Sequence, residues 1–338
     1  MDRSSLQSLL DAFGSLTILV LGDFFLDRYL MIDPAIAETS IETGLEAHQV
    51  VEIRNSPGAA GTVTNNLRAL GVGNVLALGF TGDDGHGFDL ERGLTETGVD
   101  TSYLISTPVR MTPTYTKPIQ TSTGKEMSRL DVKNRTATPV NLEQQIGDQL
   151  RSLYDQVDGI VVLDQVQETD CGVVTSSVRK TLSELASQND RPILADSRSH
   201  IDTFENVILK PNEHELTRLT TDASDPESAA SQLANKTQRP VILTRGPDGI
   251  VASDGTDNWS VDGIPVSDPI DIVGAGDSVS ASVASALAAG AALPDAALLG
   301  VLSSSITIQK IGTTGTATPL EILDRLSEVR DGSSSRGQ

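Results

Sequence analysis

The residues with the plainest chemical potential lie in 271-DIVGAGDSVSASVASALAAGA-291. Gly274, Ala275 and Gly276 carry almost no side chain, and Asp277 follows them directly. Residues 278–291 behind it contain no charge. A helix starting at this loop leaves its first backbone N–H groups without partners, and a bare backbone lets an anion approach them. The helix dipole and the same amides are expected to favour an ionised Asp277. Such a carboxylate can accept a hydroxyl proton while the amides hold a transferring phosphoryl group. The plainer alternative is that Asp277 only caps the helix, where Asp is a favoured residue.

Other reactive types narrow the chemistry by exclusion. His48, His86, His200 and His214 have no zinc-ligand spacing. Cys171 is the single cysteine, so no disulfide can form within the chain, which suits a reducing, cytoplasmic setting. Arg129 stands two residues before Asp131, either as a salt bridge or as a cation for a substrate phosphate. The chain has 46 acidic against 25 basic residues, a net charge of -21, which argues against nucleic acid and anionic membranes as partners. A small anionic ligand stays compatible, because helix amides supply positive potential without lysines. No targeting segment is expected, and LTILVLG near the start is too short to span a bilayer.

The elements that must position Asp277 read as alternating strands and helices. Apolar, β-branched runs occur at 16–23, 74–80, 159–164, 192–196, 207–212 and 240–246. Helical patterns fall near 61–71, 85–97, 141–156, 170–188, 212–220 and 226–237. This alternation predicts an α/β doubly wound, mostly parallel sheet covered on both faces. Two regions depart from it, 29–56 and 103–132, with strand-like pieces such as HQVVEIR, TYTKPIQ and EMSRLDV. They predict a small antiparallel β-sheet lid whose open face needs a cover, either substrate or a second subunit. The expected organisation is one domain over 1–330 and a disordered tail at 331–338.

With these residues in place, the chain resembles the ribokinase/PfkB superfamily of carbohydrate kinases along nearly its whole length. The family signature D-x-T-G-A-G-D matches 271-DIVGAGD-277, with Val273 where Thr is usual. The resemblance implies Asp277 as catalytic base and Gly274, Ala275 and Gly276 as the anion hole. It sets Asp271 near a site that some members fill with K⁺. The segment 22-GDFFLDRY-29 is similar to the substrate-binding start, implying that Asp23 and Asp27 bond sugar hydroxyls. In 57-PGAAGTVTNNLRALG-71 the substrate-side positions are Gly58, Ala59, Thr62 and Asn66. The segment 82-GDDGHG-87 matches G-x-D-x-x-G. The N-x-x-E motif is 211-PNEHE-215, implying that Asn212 and Glu215 organise Mg²⁺ and its waters. The nucleotide loop T-x-G-x-x-G is 244-TRGPDG-249, with Thr244, Gly246 and Gly249; Lys310 and Gly312 fall in the late adenine-side segment.

Within the superfamily the sequence is most similar to the kinase domain of bacterial heptose-phosphate kinases of lipopolysaccharide precursor synthesis. Lys117, Arg129-Leu130-Asp131 and the ending Lys310-Ile311-Gly312-Thr313 follow that style. Two substrate-side motifs depart from it. P-G-G-A-A-N reads PGAAGT, and D-Y-x-K-G reads 164-DQVQE-168, without the lysine. Arg198, in 196-DSRSH-200, falls near another basic family position. The resemblance implies ATP and Mg²⁺ as cofactors, a sugar or sugar phosphate as acceptor and a homodimer through the lid. No nucleotidyltransferase segment follows, so only a kinase step is expected. A nucleoside or polyol kinase, and a non-catalytic sugar- or nucleotide-binding regulator on the same fold, stand as alternatives.

Overall fold

The computed structural model describes residues 1–219, 225–312 and 314–335. The chain opens with α1 (Arg3–Ala12) and β1 (Thr17–Gly22), then leaves the core through β2 (Phe24–Thr39) and β3 (Glu46–Ala59). It returns as α2 (Ala60–Ala69), β4 (Asn74–Gly82), α3 (Gly85–Glu96) and β5 (Asp100–Thr107). A second excursion gives β6 (Thr114–Gln120) and β7 (Leu130–Val132). Then follow α4 (Val140–Leu153), β8 (Gly159–Asp164), α5 (Ser176–Ala186), β9 (Ile193–Ser197), β10 (Ile208–Leu209), α6 (Glu213–Thr217) and α7 (Pro226–Thr237). The last elements are β11 (Val241–Thr244), β12 (Ile250–Ser253), β13 (Asn258–Val261), α8 (Ala275–Ala288), α9 (Leu293–Thr307) and α10 (Pro319–Ser335).

A nine-stranded sheet runs β13-β12-β11-β10-β9-β8-β1-β4-β5, parallel except for the β11-β12-β13 edge. Alternation along each strand splits the core in two. Ile18 and Val20 of β1 pack with α2, α8, α9 and α10, whereas Leu19 and Leu21 pack with α4, α5 and α7. A strand buried on both faces must be apolar throughout, which is why β1 and β8 read as continuous runs. The direction of winding reverses between β1 and β8, and at such a reversal open α/β sheets place their ligand crevice.

The second sheet, β3-β2-β6-β7, is the lid. It is mixed rather than antiparallel, since β2 runs parallel to β6. The region assigned to the lid from 103 onward is corrected as well: residues 103–107 belong to β5, which pairs with β4 in the main sheet. The lid grows out of the core. Phe24, Phe25 and Leu26 of β2 are buried, whereas Pro34, Ala35 and Ile36 towards its far end are exposed. Its inner end is tied to α3, where Asp89 accepts bonds from Arg28 at 3.2 Å and Asn55 at 2.9 Å.

Three local expectations shift for physical reasons. The helix expected from 170 begins at Ser176, because Thr175 caps it and residues 170–175 form irregular wall. The β12–β13 hairpin was not anticipated; its turn is set by Asp254 Oδ1, which accepts the N–H groups of Thr256 and Asp257 at 2.8 Å. Finally, α10 runs to Ser335, so residues 331–335 continue a helix instead of a disordered tail. The rest of that tail, 336–338, lies outside the described residues.

Candidate active site

Residues singled out by sequence gather at the C-terminal edge of the parallel strands, joined there by others that it did not single out. Asp23 follows β1, Asp164 ends β8, Lys210 follows β10 and Thr244 ends β11. The N-terminus of α8 enters beside them. Gly274 takes φ +84° there, in the left-handed region that favours glycine. A Cβ on Gly274 would lie 3.5 Å from Thr62 Cγ2 and 3.4 Å from Thr314, so the loop fits between the start of α2 and the late loop. The Ala275 N–H is already used by Ile272 O at 3.2 Å. Gly276 is exposed, and its amide and that of Asp277 are first-turn groups open to an anion.

Asp277 accepts no hydrogen bond from the protein among the described residues. Its carboxyl is pushed up to about 7, first by burial and then by Asp196, with Lys210 and Arg198 pulling it down. This corrects the expectation of a plainly ionised aspartate. Desolvation and a neighbouring carboxylate outweigh the helix dipole, leaving a group poised between its two protonation states.

Lys210 is a site residue that the sequence reading missed. Its ammonium is buried, lies 2.9 Å from Asp196 Oδ2, and stands 3.7 Å from where a Cβ on Gly276 would be. Burial alone would lower its pKa, but Asp196, Glu215 and Asp277 raise it on balance. A buried lysine is rare without an anionic partner. Its sequence signal was slight: a lysine closing the apolar run just before Pro211-Asn212.

Asn212 and Glu215 form a reciprocal capping box on α6, each side chain bonding the other's N–H at 2.9 Å. Glu215 is nonetheless buried and its pKa is raised, by burial first and by Asp196. Thr244 lies against the same corner, its N–H bonding Pro211 O at 3.0 Å. Gly246 and Gly249 take φ +53° and +92°, and a Cβ on Gly249 would meet Val261 O at 2.0 Å. Lys310 is engaged locally, with Thr316 O at 2.6 Å and Glu321 at 2.8 Å. Gly312 also has positive φ, and Thr313 lies outside the described residues. Asp271 donates its N–H to Ile308 O at 2.7 Å and accepts from the Val273 N–H at 3.1 Å.

A shallow cleft opens between the lid and the main sheet, lined by Phe25, Phe80, Tyr115, Lys133, Gln167 and Arg198, among others. Lys117 pairs with Asp27 at 3.0 Å, and Arg129 forms a two-bond pair with Asp131 at 2.8 and 2.9 Å. Of the two readings for Arg129, the lid salt bridge is the one observed. Gly58 is required by Asp27, whose Oδ2 would lie 2.5 Å from an added Cβ. Ala59 adopts φ +52°, a glycine-like conformation. Asn66 turns inward and donates to Thr62 O at 2.9 Å. Asp23 is 3% exposed, with its carboxylate occupied by backbone amides rather than facing the cleft freely.

Residues 28–319 match the pfkB family of carbohydrate kinases. The bifunctional protein HldE of Trichlorobacter lovleyi is 30% identical, covering 99% of this chain and 68% of that protein. HldE of Geobacter sulfurreducens is 27% identical, covering 96% and 66%. The chain thus spans about two thirds of the length of these relatives. Among solved structures, Arabidopsis thaliana ribokinase complexed with ribose and ATP superposes with a TM-score of 0.66 at 19% identity, covering 92% of this chain and 98% of that one. Escherichia coli phosphofructokinase-2 in complex with potassium gives 0.69 at 18%, covering 93% and 99%. These structures share the ribokinase-like fold, and the family match covers the glycine loop and most of the cleft lining. The chain belongs to the pfkB family of carbohydrate kinases and is a sugar kinase.

Proposed function

We propose that this kinase transfers the γ-phosphoryl group of ATP to a hydroxyl of a sugar that already carries a phosphate. The observation that carries the substrate class is the distribution of cations around the cleft. In a chain of net charge -21, Arg198 and Lys133 line the cleft with no ion-pair partner among the described residues. Lys117 and Arg129, the cations expected to meet a phosphate, are each neutralised by an aspartate. Unpaired cations facing a concave site favour an anionic group on the ligand. Gln167 stands where heptose-phosphate kinases have their lysine, and Arg198 offers a cation in its place. Heptose 7-phosphate is therefore the first acceptor to test.

Asp277 takes the proton of the acceptor hydroxyl, and that oxygen attacks the phosphoryl group in line. The amides of Gly276 and Asp277 and the Lys210 ammonium hold the charge that develops. Among the described residues no cluster of three or more His, Cys, Asp or Glu forms a metal cage. The buried Glu215 beside Asn212 instead fits Mg²⁺ held through water and phosphate oxygens. When bound there, Mg²⁺ would neutralise charge on the phosphates. Asp271 is retained as a neighbour of a K⁺ site.

The same reading includes one kinase domain over 1–330, a cytoplasmic setting and a homodimer through the lid. No helix among the described residues is long and apolar enough to cross a membrane. The outer lid leaves Ile36, Val50, Val51 and Ile53 more than two fifths exposed, an apolar face that a second copy would cover. Sedimentation at micromolar concentration tests this, with a monomer as the contrary result.

The deciding experiment is ADP release from ATP·Mg²⁺ over a panel of sugars and sugar phosphates, heptose 7-phosphate included. Turnover is expected with a phosphorylated sugar and lost in Asp277→Asn. Arg198→Ala and Lys133→Ala should raise KM for that substrate and leave KM for its unphosphorylated form unchanged. A preference for unphosphorylated sugars would overturn the substrate class.

A further inference from the structure

Asp23 stands at the end of β1, at the reversal of strand order beside β8. Both of its oxygens are occupied. Oδ2 accepts the N–H of Gln165 at 2.8 Å and of Val166 at 3.0 Å, and Oδ1 accepts the N–H of Val173 at 2.8 Å. These three amides open and close the segment 165–173, which follows β8 without helix or strand of its own. That segment makes one wall of the substrate cleft, from Gln165 to Val173.

The outer side of the wall is held independently. Arg110 donates to Cys171 O at 2.6 Å, and Thr138 Oγ1 donates to Gly172 O at 2.7 Å. Asp23 is the inner clamp, and the fit is close. A Cβ on Gly172 would lie 2.6 Å from Asp23 Oδ1, so only glycine admits the carboxylate there. An irregular segment has no ladder to satisfy its backbone, so a buried acceptor that takes three N–H groups decides its shape.

We infer that Asp23 is a positioning residue: its carboxylate shapes the 165–173 wall against which the sugar seats, and does not itself bond a sugar hydroxyl. The inference rests on the sugar-kinase reading of the cleft. The hydroxyl-bonding role falls instead to Asp27, whose carboxylate is shared, among the described residues, only with Lys117 and is sixteen percent exposed.

The test uses the full-length chain and two variants. Asp23→Asn puts an NH₂ donor against N–H donors and must lose at least one of the three bonds. Gly172→Ala displaces the same carboxylate from the other side. Amide hydrogen exchange without any substrate should quicken at Gln165, Val166 and Val173 in both variants. With the accepted sugar, KM should rise about tenfold in each while kcat at saturation stays within about threefold, as expected for one buried bond lost. The double variant should be no worse than either single one, because both act on one contact. Unchanged exchange at the three amides overturns the inference. So does a loss of kcat with KM unchanged, or a fully additive double variant, either of which would make Asp23 a direct partner of substrate. The exchange arm reads the clamp even if no sugar on the panel is turned over, so failure of the clamp and failure of the functional reading remain separable.

Discussion

Two desolvated aspartates stand at the C-terminal edge of the sheet, and they differ in one respect. Asp277 and Asp23 are both raised, to about 7 and about 6, and in both burial is the first cause and a second carboxylate the next. Asp23, however, accepts three backbone N–H bonds, whereas Asp277 accepts none among the described residues and is steadied only by the charges of Lys210 and Arg198. Perturbed acids therefore come in two kinds. One with its lone pairs occupied holds structure; one with its lone pairs free is available to take a proton. A raised pKa alone does not tell them apart, and hydrogen-bond occupancy does.

The largest effect that sharpens this contrast is on turnover. Asp277→Asn should lower kcat by about a thousand-fold in ADP release, the scale of a lost general base, whereas Asp23→Asn should keep most of kcat. Equal losses in both variants would erase the distinction.

Next is the charge that keeps Asp277 usable. Lys210→Met leaves the half-buried Asp196 without its cation and should cost about 2 kcal/mol of stability, read by denaturant unfolding. In wild type, kcat/KM should rise with pH around the Asp277 value of about 7, because the base must be ionised. In Lys210→Met that limb should move to higher pH. An unmoved limb would remove Lys210 from the site's electrostatics.

A smaller effect concerns stability. The folded value of Asp277, about 7, lies above its ordinary 3.8, so the native state binds that proton more tightly than the unfolded chain does. Stability from this group is complete below pH 3.8 and declines as pH rises towards 7. Asp277→Asn lacks that decline. Its Tm should exceed wild type at pH 8, by an amount on the order of 1–2 kcal/mol in stability, and the gap should narrow towards pH 4. A variant less stable than wild type at pH 8 would contradict it.

The smallest effect is at the lid rim. Arg129→Ala removes an exposed ion pair and should change stability by about 0.5 kcal/mol or less, with KM within about twofold. A tenfold rise in KM would return Arg129 to the phosphate site and weaken the case for Arg198 and Lys133.

Much of this molecule was open to reading in one dimension. The doubly wound sheet followed from apolar runs of strand length separated by helical periodicity, since strands covered on both faces must be apolar throughout. The glycine loop and Asp277 were legible because an anion hole needs a bare backbone and a helix start, both local properties. The capping box at Asn212 and Glu215 is likewise a spacing of three. What stayed hidden depends on residues far apart in the chain. Asp23 meets amides 142 to 150 residues away, and Lys210 meets Asp196 only because β9 and β10 lie side by side. The pairing of Lys117 with Asp27 and of Arg129 with Asp131 left Arg198 and Lys133 as the cations facing the cleft. The protonation of Asp277 was misjudged for the same reason. The helix dipole is local and readable, whereas desolvation and the nearby Asp196 exist only once the chain has folded. Sequence alone thus determined the glycine loop, the helix start and the aspartate behind it. Tertiary structure decided which charges are free to meet the substrate, because burial and pairing are properties of neighbours in space.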